Sequence, residues 1–159
     1  SNYNIKDWNS EDLRKGIIGI VGESPPTIPL RDNDLMANAR PYRLQRDLNL
    51  PPGHMIDDLV AGKIDVAIIW GPLGGYYAKK AKEPLVVVPL PEFKSERNSF
   101  DTQKGKAEFN ISLAVRKKDK DRMEMIQGAL DRNQSKILKI LDDYGIPHVP
   151  VVLGDKIGN

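Results

Sequence analysis

Gly53-His54-Met55-Ile56-Asp57-Asp58-Leu59-Val60-Ala61-Gly62-Lys63-Ile64-Asp65-Val66-Ala67-Ile68-Ile69-Trp70-Gly71-Pro72 is the stretch that decides the fold. Met55, Ile56, Leu59 and Val60 recur at helical spacing, and Gly62 falls where a helix takes a left-handed terminating residue. The period then changes: Ile64 to Trp70 is a short, nearly continuous apolar run that suits a strand buried on both faces. Pro72 fits the first position of a second helix, running through Tyr76, Tyr77 and Lys80, because the N–H it lacks would have no partner there. Helix, glycine, two residues, apolar strand is an α-to-β unit with a connection of ordinary length.

Working outward, Gly16 to Val21 (Gly-Ile-Ile-Gly-Ile-Val) reads as an earlier buried strand, broken by Gly22. Glu23-Ser24-Pro25-Pro26-Thr27 is a loop, because residues before proline are steered away from helix. A helix around Asp32 to Ala39, capped by Asn33 or Asp32, and a short strand over Tyr42 to Leu44 are expected next. Leu85 to Val88 is a third apolar run, ended by Pro89 and Pro91. Residues 92–108 carry charges and no periodicity and read as a connector. Phe109 to Val115 alternates apolar and small or polar positions, the pattern of a half-exposed strand. Ile126, Leu130, Ile137, Leu141 and Tyr144 keep one helical phase from about Asp119 to Tyr144. Asn133-Gln134-Ser135 could cap a second helix inside that run, so one helix or two fits the pattern; Gly145 and Pro147 end it, and 148–159 reads as an irregular tail. Strands and helices that alternate in this way predict an α/β, doubly wound, mostly parallel sheet.

Composition narrows the function. The 159 residues are 40% hydrophobic and 29% charged, enough for one core. Lys plus Arg exceeds Asp plus Glu by 24 to 22, a net charge of +2 that is too small a surplus to indicate nucleic acid. The basic runs at Lys79-Lys80-Lys82 and from Arg116 to Arg122 are interleaved with acids and lack an aromatic platform, so they read as solvated surface. With no cysteine, disulfides, thiolate zinc sites and cysteine nucleophiles are excluded; with only His54 and His148, a histidine metal site or proton relay is hard to build. The longest uncharged stretch, between Asp65 and Lys79, contains three glycines and a proline, and falls short of the roughly 20 apolar residues of a membrane helix. Gly16, Gly19 and Gly22 have the wrong spacing for a phosphate-cradling loop. The adjacent pairs Asp57-Asp58 and Asp142-Asp143 point apart on a helix and cannot share one site.

Two loops remain as candidate sites. Gly22-Glu23-Ser24 follows a strand as a strained nucleophile turn would, but Pro26 stands where that turn needs its second glycine. The loop nonetheless falls at the carboxyl edge of a parallel sheet, where open α/β folds hold ligands, and Ser24 and Thr27 have hydroxyls to offer. The alternative is that both hydroxyls only satisfy loop backbone. The second loop, Trp70-Gly71-Pro72-Leu73-Gly74-Gly75-Tyr76-Tyr77, joins the end of a strand to the amino end of a helix, whose N–H groups point outward. Trp70, Gly71 and Tyr76 are its candidates for contact. The competing reading places Trp70 in the core, the glycines in a turn and the tyrosines against their neighbours.

Leu13-Arg14-Lys15-Gly16-Ile17-Ile18-Gly19-Ile20, Leu59 to Ala67, Phe109 to Lys117 and Asp143-Tyr144-Gly145 together resemble the second half of a type 2 periplasmic solute-binding protein. Ala39-Arg40-Pro41-Tyr42-Arg43, Ile69 to Lys80 and Asp143 to Pro147 are similar to the subgroup associated with quinoprotein methanol dehydrogenases, the MxaJ/XoxJ-like proteins. The resemblance covers about Leu13 to Pro147, and the Trp-Gly-Pro segment is its most specific part. It implies a C-terminal portion of a two-lobed protein: residues 13–91 as the second lobe, 92–108 as the connector, and 109–147 as the returning strand and the C-terminal helices of the other lobe. Those helices would seek another surface, on the remaining lobe or in a packed or swapped homodimer. The resemblance further implies a periplasmic location and no enzymatic activity. The partner would be a quinoprotein dehydrogenase that itself holds the PQQ and the metal, this chain having no cofactor of its own. The alternative is a ligand-delivery component of an ABC uptake system, with Ser24, Trp70 and Tyr76 in the cleft. The pattern breaks at two places: Trp70 stands where amino-acid binders carry an acid, and Glu23 would repel a substrate carboxylate.

Overall fold

The computed structural model describes residues 3–43, 53–91, 93 and 111–150. The first strand, β1 (Ile18–Val21), is central. It pairs in parallel with β2 (Ala39–Tyr42) on one side and β3 (Val66–Ile68) on the other, giving the order β2-β1-β3. Among the described residues the helices are α1 (Glu11–Lys15), α2 (Thr27–Asp32), α3 (His54–Val60), α4 (Gly71–Lys80) and α5 (Lys120–Tyr144), with a 3-10 turn at Met36–Asn38.

The apolar runs of β1 and β3 are covered on both faces, as their lack of alternation predicts. Ile18, Ile20 and Ile68 face a cluster made by Trp8, Leu13 of α1, Leu30 of α2 and Leu35. Val21, Ala67 and Ile69 face the opposite cluster of Tyr42, Met55 of α3 and Ile64. Burying side chains such as Ile18 (0% exposed) and Leu30 (0%) stabilises the layers by about 1.5–3 kcal/mol each. Gly19 lies on the α3 side, where a Cβ would meet the Ile64, Tyr42 and Met55 side chains, so its lack of a side chain sets how closely α3 approaches.

A polar brace ties the same layer. The Tyr42 hydroxyl donates to Asp58 Oδ2 at 2.8 Å, and Lys63 Nζ donates to Asp58 Oδ1 at 2.8 Å. Burial, together with the adjacent Asp58 carboxylate, pushes the Tyr42 phenol up to about 12, while Lys63 and the Tyr42 hydroxyl lower the Asp58 carboxyl. Gly62, at φ +68°, supplies the left-handed residue that ends α3, as its position in the sequence predicts.

Several expectations are corrected. The helix expected near Asp32–Ala39 forms earlier, over Thr27–Asp32, and Asp32 ends it rather than caps it. Pro29 is accommodated because it lies in the first turn, where its missing N–H has no intrahelical partner to lose. The strand expected over Tyr42 to Leu44 ends at Tyr42; Leu44 lies outside the described residues. Leu85 to Val88 forms no strand, and Val86 is 89% exposed, because β3 does not pair with it. Residues 111–115 likewise form no strand, with Ile111 and Leu113 exposed. Most of the 92–108 connector, Phe109, Asn110 and the tail beyond 150 fall outside the described residues. Of the two options for the last helical run, the single helix is observed. Asn133 bonds back to the Ala129 carbonyl at 2.8 Å instead of capping a new helix.

Candidate functional site

The chain passes from β1 to β2 on one flank and then crosses to β3 on the other, so the strand order reverses at β1. Such a reversal leaves a crevice at the carboxyl ends of the neighbouring strands. With Ile20 level with Ile68, the segments that leave this edge side by side are Gly22 to Thr27 and Ile69 to Gly71. Both candidate loops of the sequence reading therefore lie at one edge of the sheet.

Within the first loop, the Ser24 hydroxyl turns inward and donates to the Val21 carbonyl, sealing the end of β1. Glu23 adopts a left-handed conformation at φ 58° to allow that turn. The Thr27 amide donates to the Ser24 carbonyl at 2.9 Å and starts α2. Its hydroxyl Oγ1 is buried with no partner among the described residues. Ser24 thus follows the backbone-satisfying alternative, whereas Thr27 Oγ1 keeps its hydrogen-bonding capacity.

Within the second loop, Trp70 is the N-cap residue of α4 and is 51% exposed, which overturns its assignment to the core. Pro72 sits one position further into the helix than expected, since Gly71 is the first helical residue. Gly71 lies against Pro147, where a Cβ would approach the proline ring at 3.0 Å. Tyr76 is engaged elsewhere: it stacks on Tyr144 with ring centroids 5.8 Å apart and planes 19° apart, and meets Tyr77 edge-on at 5.1 Å. Lys80 Nζ lies 4.4 Å from the Tyr76 ring centre, and its pKa is raised, chiefly by its contact with the Tyr76 hydroxyl. A shallow depression of about 340 Å³ lies here, lined by Tyr76, Lys79, Lys80, Asp143 and Tyr144.

Sequence reasoning missed the contact that gives the glycines of α4 their purpose. Gly71 and Gly75 are four residues apart and share one helix face, onto which Gly145 and Pro147 dock; a Cβ on Gly75 would overlap the Gly145 carbonyl oxygen. Lys79 adds two hydrogen bonds at 2.9 Å, to the Asp142 and Asp143 carbonyls at the end of α5. The spacing of Gly71 and Gly75 was the available signal, but nothing local says what the face receives.

Among the described residues, no three His, Cys, Asp or Glu side chains gather to hold a metal, and no helix is long and apolar enough to cross a membrane.

No family model matches the chain. It is 27% identical over 158 residues to Protein MoxJ of Methylorubrum extorquens, covering 92% of this chain and 51% of MoxJ. Its fold is similar to the periplasmic binding protein XoxJ from Methylobacterium extorquens AM1, at a TM-score of 0.75 and 26% identity, over 93% of this chain and 64% of XoxJ. MxaJ from Methlophaga aminisulfidivorans MPT matches at a TM-score of 0.75 and 28% identity, over 92% of this chain and 62% of MxaJ. The chain therefore spans about half the length of the curated relative and under two thirds of each solved one. With its parallel β2-β1-β3 topology and crossover helices, the chain is thus similar in sequence to MoxJ and in fold to XoxJ and MxaJ, consistent with one lobe of the periplasmic-binding-protein fold.

Proposed function

We propose that the chain serves as a non-enzymatic periplasmic accessory protein of a PQQ-dependent methanol or related alcohol dehydrogenase, meeting that partner at the carboxyl edge of its sheet. The observation that carries the reading is Trp70: a large aromatic, 51% exposed, at the edge where the fold otherwise places ligands. A polar ligand cleft would present free hydroxyls there, yet Ser24 is turned back onto Val21. Tryptophan is enriched among the residues that anchor protein interfaces. The names of MoxJ and MxaJ support the association with methanol oxidation. Glu23 and Gly71 flank Trp70's edge on the two loops, and the partner holds the PQQ and metal. The test is binding of the chain to immobilised quinoprotein dehydrogenase, with Trp70→Ala alongside. Loss of roughly 2 kcal/mol, about 30-fold in affinity, is expected of a central anchor. Equal binding by both proteins, or none by either, would refute the reading.

One observation favours a second reading, delivery of a small molecule to an ABC uptake system: the buried Thr27 Oγ1 without a partner among the described residues. A thermal-shift screen of amino acids, organic acids, and calcium and lanthanide salts separates the two, because a ligand at 100 times its Kd stabilises the native state by about 2.7 kcal/mol.

A further inference from the structure

The 25-residue helix α5 has no buried residue, and Met123, Leu130, Ile137 and Ile140 are all at least 36% exposed. A helix of this length normally gets its position from burying an apolar face. Here the position comes from one end. The left-handed Gly145 (φ 72°) ends α5 and lies against Gly75 of α4, and Pro147 lies against Gly71 and Gly75. Lys79 Nζ donates to the Asp142 and Asp143 carbonyls at 2.9 Å each, placing a cation on the negative pole of the helix dipole. Tyr144 stacks on Tyr76 at 5.8 Å, and His148 Nε2 lies 3.0 Å from Asp142 Oδ1.

We infer that the glycine face of α4, with Lys79 and Tyr76, is a clasp that sets the direction in which α5 leaves the sheet. A backbone-to-backbone contact suits this purpose, since it has no side-chain rotamers through which to slip. The contacts fall on four groups at the α5 end, namely the Asp142 and Asp143 carbonyls, the terminating Gly145, the Tyr144 ring and Pro147, which fixes tilt as well as position.

The chain has no cysteine, so Ala61→Cys and Gln134→Cys, both at exposed positions, accept a pair of spin labels without background. Double electron–electron resonance on the labelled chain is expected to give one narrow distance. Gly75→Ala supplies a test whose sign is informative: alanine is the better helix former, so α4 itself gains while the clasp is displaced. The narrow peak should be lost in Gly75→Ala, with circular dichroism showing that the sheet remains. Lys79→Met, which keeps the aliphatic stem and removes the two hydrogen bonds, should broaden the peak and decides the matter if Gly75→Ala does not fold. A broad distribution in the otherwise unaltered chain, or a narrow one that persists in the variants, would overturn the inference.

Discussion

Replacing Tyr42 by phenylalanine keeps the ring against Met55 and Ile64 and removes only the hydroxyl that donates to Asp58 at 2.8 Å. Hydrogen bonds to charged groups contribute about 1.5–3 kcal/mol, and Asp58 retains Lys63, so the lower end, about 1.5 kcal/mol, is expected at pH 7.5. The phenol of Tyr42, only 8% exposed, is raised by burial and by Asp58 from 10.0 to about 12. Above pH 10 the unfolded chain gives up this proton while the folded chain keeps it, so the native state binds more protons and stability falls as pH rises. With values of 10.0 and about 12, the loss at pH 11 is about 1.4 kcal/mol, and it exists only in the chain that has the hydroxyl. The remaining tyrosines and lysines are common to both proteins and cancel. Urea unfolding at pH 7.5, 9.5 and 11 should therefore show a gap of about 1.5 kcal/mol closing to near zero. A gap that stays constant across this range would show that Tyr42 is not held protonated by its site, and would refute the brace as described.

Ile18→Ala, at a position with 0% exposure in the centre of the sheet, should cost about 2–5 kcal/mol in chemical denaturation, since a cavity is left between packed layers. Gly62→Ala meets no neighbouring atom within 4 Å, so any cost comes from its φ of +68°; a loss of about 1–2 kcal/mol is expected, and an unchanged denaturation midpoint would contradict it. Trp70→Ala should change stability by less than about 0.5 kcal/mol, as surface substitutions do, while weakening partner capture; a large drop in melting temperature would instead make Trp70 a packing residue.

What the sequence determined by itself is local. The turn from α3 through Gly62 into β3, the burial of β1 on both faces, the start of α4 near Gly71-Pro72 and the end of α5 at Gly145 all follow from period, glycine and proline within a few residues. The placement of both candidate loops at one carboxyl edge followed from alternation of strand and helix, which the parallel β2-β1-β3 order bears out. Tertiary structure decided the rest. Leu85 to Val88 and residues 111–115 have strand-like sequences but no strand, because a strand needs a partner edge as well as a pattern. Whether Tyr76 served the edge or the α5 end depended on Tyr144, sixty-eight residues further along the chain. Local propensity has no term for such contacts; only the closing of the chain on itself brings Gly75 to Gly145.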